Sequence, residues 1–241
     1  MINLLLSLAA ALAAFCAFYF SGLAHALGSI LPAIIAGIVA YIILARRSVK
    51  QLEAVMAQVQ KELAGRRIEK AIGILEAAFP LARWQFLVAS QLHGQIGSLL
   101  YIQKKFEEAE PHLKKSFVKM WPARAMLAAQ HFRRKEWKEM EDVFDAAVRA
   151  NKGESLLYAA YAWCEDKRGE RKKAIEILQR GTAQVKSDER LKTLLLRLQN
   201  DKRMKLEAFG EQWWQFWLET PPMMQGPGGA FGPRQVKWGR R

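Results

Sequence analysis

Apolar positions along this chain obey two different rules, and the change from one to the other divides it. Residues 2–20, INLLLSLAAALAAFCAFYF, stay apolar or small for nineteen positions, about 28 Å as a helix against a hydrocarbon core of roughly 30 Å. A short interruption, Ser21 to Ser29, carries two glycines and His25, and a second apolar run, Ile30 to Ala45, ends at Arg46, Arg47 and Lys50. The pattern predicts two membrane spans joined by a tight turn, a helical-hairpin anchor over residues 1–46. Small residues suit close packing of the spans: Ala10, Ala13, Ala14 and Ala17 on one, Ala33, Ala36, Gly37 and Ala40 on the other. Basic side chains at the exit of the second span predict that both ends of the hairpin, and all that follows, lie on the cytoplasmic side. Ala24-His25-Ala26 also has the small-x-small form of a signal cleavage site. Cleavage there would leave one span and an exported domain.

Past Arg46 the apolar residues recur at three- and four-residue spacing, the stripe of an amphipathic helix. Val49, Leu52, Val55, Met56, Val59 and Leu63 continue the second span as such a helix, and Phe86, Leu87, Leu92, Ile96, Leu99 and Leu100 mark a longer one that begins after Pro80. In the segment 169–181, GERKKAIEILQRG, a turn glycine is followed by the small residue Ala174 and by Ile175, Ile177 and Leu178. One helical hairpin cannot cover that apolar face alone, so such units stack. The arrangement recurs upstream. Aligned on the small residue of each second helix, Ala71, Ala109, Met140 and Ala174 are separated by 38, 31 and 34 residues. Glu189 to Met204, rich in leucine, reads as the helix that covers the end of the stack.

Around Ala109, Gly97 and Leu100 occupy first-helix positions, Phe106 precedes the small residue by three and Leu113 follows it by four; Trp137, Phe144 and Ala147 repeat the pattern around Met140. In period and in these positions the stretch from about Leu52 to Asn200 resembles the tetratricopeptide repeat, whose period is about 34. The resemblance implies an all-α fold: a transmembrane hairpin, then an α-solenoid of about four helix pairs over residues 47–204. It departs from the family where Met140 replaces the small residue, where the turn glycine occurs only near Ala71 and Ala174, and where Pro122 falls one place late. The family holds extended or helical peptides in the groove between first helices, which implies a partner-binding groove at Gln91, Ser98, Tyr101, Ala125, Phe132 and Trp163. Ser98 and Ala129 stand where members that clamp a free carboxylate need asparagine, so carboxylate clamping is not expected.

Leu206 to Thr220, LEAFGEQWWQFWLET, places Leu206, Phe209, Trp213, Trp214, Phe216 and Trp217 on one helical side and acidic and amide residues on the other. It is expected to be an amphipathic helix over 205–220 that closes the solenoid, lies at the lipid boundary or docks into a partner. Residues 221–241, dense in proline and glycine, are expected to form a disordered basic tail.

Charge sharpens the division. No Asp, Glu, Lys or Arg precedes Arg46, so the net charge of +14 belongs wholly to the remainder. The expected intra-pair turns carry Arg66 and Arg67, Lys104 and Lys105, Arg133 and Arg134, and Lys167 and Arg168, a candidate ridge for anionic lipid headgroups, diluted by glutamates that follow each turn. Cys16 and Cys164 are expected to be reduced and inert. There is no glycine-rich phosphate loop, GxSxG elbow, paired cysteine or HExxH spacing, and four scattered histidines suggest no constellation, so no enzyme, cofactor, metal site or small-molecule substrate is expected. The functional expectation is a scaffold anchored in a bacterial inner membrane that binds a protein partner. The alternatives are a basic repeat protein associated with nucleic acid or ribosomes, which is less expected, and an exported assembly factor released from its signal.

Overall fold

The computed structural model describes residues 1–21 and 25–220; Gly22 to Ala24 of the predicted interruption Ser21–Ser29 and the predicted tail at 221–241 lie outside the described residues. Among the described residues the chain is all-helical, with eleven α-helices and no strand. It divides into two units, Met1–Arg124 and Ala125–Arg241.

The first unit opens with α1 (Ile2–Phe20) and α2 (Ala26–Ala64), which lie side by side and antiparallel. Both are long and apolar enough to cross a membrane. Their polarity is inverted relative to a helix pair in water: Leu4, Leu5, Leu8, Leu12, Leu27, Leu31, Ile35 and Ile43 are exposed, while Asn3, Ser7, Ser29 and Ser48 are buried. Full burial of such a side chain stabilises by roughly 1.5–3 kcal/mol in water, so the arrangement suits an apolar surrounding better than water. The helices approach most closely at Gly37, where a Cβ would lie 3.0 Å from Ala11 Cβ. Gly37 belongs to the expected small-residue set, but its partner Ala11 does not. At the other end of the pair the Asn3 amide donates to Ser48 Oγ at 2.8 Å, a buried polar clamp.

The stripe from Val49 to Leu63 does continue the second apolar run: α2 is one helix of 39 residues, about 58 Å long. It packs on α3 (Ile68–Ala77), and α4 (Val88–Ile102) packs on α5 (Phe106–Lys114). The helix expected directly after Pro80 starts later. A 3-10 turn, Phe79–Arg83, follows α3, and Phe86 and Leu87 lie outside α4, because Leu87 adopts φ +72, a left-handed conformation that no helix continues through. In α4, Gly97 lets Leu113 of α5 approach until a Cβ would sit 2.9 Å from its backbone nitrogen.

The second unit takes in most of α6 (Trp121–Arg134), then α7 (Trp137–Ala150), α8 (Ser155–Arg168), α9 (Arg171–Gln184) and α10 (Glu189–Gln199). Its core helix is α8, buried without a break from Ser155 to Glu165. Phe144 stacks on Tyr161 with centroids 4.8 Å apart, and Gly181 admits the Tyr158 ring to within 2.9 Å of where a Cβ would stand. The helix expected to reach Met204 stops at Gln199, where Asp201 turns left-handed.

Four turns use one backbone device. Arg66, Lys104, Lys135 and Gly169 all have positive φ, and their separations are 38, 31 and 34 residues, the same as those of the aligned small residues. In each, the left-handed residue's N–H donates to the carbonyl three back, and the next N–H donates to the carbonyl five back: Lys135 to Phe132 and Glu136 to His131, for example. This satisfies carbonyls that the preceding helix leaves open. The carbonyl of the next residue then accepts from the N–H of Ala71, Ala109, Met140 or Ala174, and all four of those side chains are fully buried. The expected turn glycine at Gly65 lies one place before the left-handed position, at φ −80, and Arg66 takes that position.

A left-handed conformation costs a side-chain-bearing residue about 1–2 kcal/mol. Lys135→Gly should therefore raise stability by about 1 kcal/mol and Gly169→Ala lower it by a similar amount. Denaturant unfolding of the detergent-solubilised chain measures both.

Candidate interaction surfaces

The six candidate groove residues divide between the units. On α4, Gln91 and Ser98 are half-buried, Ser98 Oγ donates to Gly94 O at 2.8 Å, and Tyr101 is fully buried with its ring edge-on to Phe106 at 5.0 Å. In the second unit Ala125 and Trp163 are buried and Phe132 is half-buried. Phe132 lies 5.6 Å from Trp163 and 5.7 Å from Trp137, ring to ring.

What covers Trp163 is the chain's own Trp-rich segment. Leu206 to Thr220 is not one amphipathic helix. It comprises a 3-10 turn, Glu207–Phe209, then Gly210 at φ +61, then α11 (Glu211–Trp214), a helix of a single turn. The break at Gly210 leaves the apolar spacing intact, so Leu206, Phe209, Trp213 and Phe216 are all buried. Trp213 is fully enclosed, 5.5 Å from Trp163 and 6.1 Å from Phe216 between rings. The Glu219 carboxylate accepts from both indoles, Trp163 Nε1 at 3.2 Å and Trp213 Nε1 at 3.1 Å. Arg133 of α6 donates to the carbonyls of Phe216 and Trp217, each at 2.8 Å, at the point where Trp217 turns to φ +51. The α6 and α8 side chains thus hold an irregular aromatic peptide by packing and by one guanidinium nitrogen shared between two backbone carbonyls, while the peptide's own Glu219 bridges the Trp163 and Trp213 indoles.

The candidate basic ridge is partly spent on structure. Arg67 pairs with Glu62, Arg133 holds the C-terminal segment, and Arg168 bridges Glu141 at 2.5 Å and Glu165 at 3.5 Å. Lys167 lies over the Trp163 ring at 5.3 Å. Arg66, Lys104, Lys105 and Arg134 are exposed. Glu165 is fully buried, and burial raises its pKa while Lys173 at 3.3 Å and Arg168 oppose the rise. Glu141 also takes Lys173 at 2.6 Å, so two carboxylates and two cations tie α7, α8 and α9 together. An open cleft of about 450 Å³ in the same unit is lined by Asp145, Arg149, Lys152, Tyr158 and Arg180.

Two histidines read as scattered come together. His93 of α4 and His112 of α5 place their Nδ1 atoms 3.1 Å apart, beside the Phe79 ring, with Glu76 and Lys115 nearby. Burial lowers the pKa of both, and Lys115 adds to it; for His93 the facing imidazole contributes as well. Nineteen residues of separation carry no local signal, but the α4–α5 turn fixed by Lys104 brings those positions opposite each other. No group of three or more histidine, cysteine or acidic side chains able to hold a metal ion occurs among the described residues.

Compared with protein-family models, curated proteins and solved structures, the chain matches none.

Truncating a fully enclosed tryptophan costs about 3–5 kcal/mol, here set against a short irregular segment. Trp213→Ala should therefore release residues 206–219 to rapid amide exchange while α6 to α10 stay protected, as hydrogen-exchange mass spectrometry would record. The histidine pair gives a pH dependence. Both folded-state pKa values lie below the unfolded value of about 6.5, so the unfolded chain binds more protons and stability falls as pH drops through that value. His112→Gln should flatten this dependence in unfolding curves collected across the range.

Proposed function

We propose that this chain is a bilayer-tethered scaffold: a two-span hairpin carrying a tetratricopeptide-like α-solenoid on the cytoplasmic face of a bacterial inner membrane, there to hold a protein partner. The observation that carries the reading is α2. Its first half has an exposed apolar surface of membrane length, and the same unbroken helix then packs on α3. A domain built onto a span in this way is held at the membrane by a rigid element rather than by a flexible linker. Recurrence of one turn geometry at intervals of 38, 31 and 34 residues supports serial helix pairs, and such pairs bury a continuous core only when stacked. Arg46, Arg47 and Lys50, just beyond the second span, favour the cytoplasmic side.

The mode of recognition we infer is helix or extended peptide against first helices. The Leu206–Glu219 segment supports it, since side chains of α6 and α8 already engage a peptide of that kind in cis. Tyr101 and Trp163 are too buried for their replacement to report on a partner. Half-buried Gln91 and Ser98 of α4 are the better positions.

A photo-crosslinking residue at Gln91 or Ser98, in native membranes, should give one reproducible protein adduct that is absent when the crosslinker replaces exposed Lys192 of α10. Identical adducts from all three positions would reject the groove.

A further inference from the structure

Outside the two spans, the large hydrophobic side chains exposed among the described residues are Met1, Val49, Trp84, Phe86 and Leu196, and all but Leu196 belong to one level of the first unit. The connection between the 3-10 turn and α4 is fastened to the beginning of α1. The Met1 nitrogen donates to Arg83 O at 2.7 Å and the Asn3 N–H donates to Trp84 O at 3.1 Å. Asn3 is also clamped to Ser48, which neighbours Val49 on α2. Residues 83–84 therefore sit beside the last polar layer of the hairpin, directly before the exposed leucines that start at Leu4 and within a turn of Arg46 and Arg47.

That level is where a bilayer would end. From Leu4 to Phe20, α1 offers about 24 Å of exposed apolar length, and the hydrocarbon core is roughly 30 Å thick. A span slightly shorter than the core is matched when flanking aromatic and basic side chains occupy the headgroup layer. Trp84 is 42% and Phe86 64% exposed, on a loop with no regular structure of its own to cover them. Basic Arg83 lies immediately before Trp84, and Arg46, Arg47 and Lys50 leave the same end of the hairpin.

We propose that the Arg83–Leu87 loop is a third membrane contact, with Trp84 and Phe86 inserted at the boundary between headgroups and acyl chains and the neighbouring arginines paired with lipid phosphates. This rests on the reading of α1 and α2 as spans. The occupant of the aromatic pair is lipid rather than protein because the loop is pinned by main-chain hydrogen bonds to the helix whose exposed leucines need the same solvent. The consequence is orientational: two spans and a loop fix the helical unit against the surface at three points, so it cannot swivel about α2.

The test uses the full chain with Cys16→Ala and Cys164→Ala, in nanodiscs of zwitterionic and anionic phospholipid. A nitroxide is placed in turn at Phe86→Cys, Ile38→Cys in the middle of the apolar part of α2 and Glu108→Cys at an exposed position of α5. Collision with oxygen and with a water-soluble nickel chelate is then compared by electron paramagnetic resonance. The label at 86 should favour oxygen and be shielded from nickel, at a depth shallower than the label at 38, whereas the label at 108 should favour nickel. Nickel access at 86 equal to that at 108, with 38 in lipid, overturns the loop contact and leaves the spans standing. Shielding at 86 from both reagents overturns it in favour of a protein contact such as a second copy. Nickel access at 38 overturns the spanning reading and the loop contact with it.

Discussion

Everything in the first unit answers to a shortage of cover for the leucine and isoleucine side chains of α1 and α2. Water makes their exposure unfavourable by a sum of many small terms, and no other described residue of the unit shields them. The same helices bury Asn3, Ser7, Ser29 and Ser48 between them. Polar groups inside and hydrocarbon outside is the organisation expected where the solvent is lipid, with buried donors finding acceptors within the pair. Ser7, Ser29 and Ser48 do so by returning their hydroxyls to carbonyls of their own helices, and Asn3 by crossing to Ser48.

From that constraint follow the length of α2 and the position of what it carries. A helix that ended with its apolar half would need a linker; α2 instead runs on to Ala64 and hands its amphipathic face to α3. The second unit is stabilised differently. Its α8 is buried along eleven consecutive residues, its helices α7 to α9 are joined by Glu141, Glu165, Arg168 and Lys173, and its Leu206–Glu219 segment is held by Trp163, Arg133 and Glu219. A buried glutamate among cations is a weak source of net stability, since desolvation offsets most of the attraction. It does specify register, because Glu165 meets Lys173 only when α8 and α9 pair as they do, whereas Arg168 reaches it from within α8.

Much of this was legible in the sequence where a periodic pattern extended over many residues. Two apolar helices of membrane length, the continuation of the second into an amphipathic helix and the spacing of the turns were all readable, because each rests on repeated positions rather than on one residue. Local detail was less legible. Gly65 read as a turn glycine, but the chain turns at Arg66, and three of the four turns place a basic residue in a conformation that composition would assign to glycine. Leu206 to Thr220 kept its apolar spacing while Gly210 broke its helix, since burial of Leu206, Phe209, Trp213 and Phe216 requires only that they face one way. The His93–His112 contact and the capture of two carbonyls by Arg133 depend on tertiary pairing across 19 and about 83 residues, for which a single sequence holds no periodic sign.

The central claim is that α1 and α2 cross a bilayer as a hairpin and leave the helical domain on the side from which the chain entered. Thiol labelling of Cys16→Ala chains in bacterial spheroplasts addresses it most directly, using a membrane-impermeant maleimide on Ser21→Cys beside the hairpin turn and on Glu108→Cys in α5. The account predicts that the thiol at 21 reacts in intact spheroplasts and the thiol at 108 only once the membrane is opened. Reaction of both from the same side would contradict it.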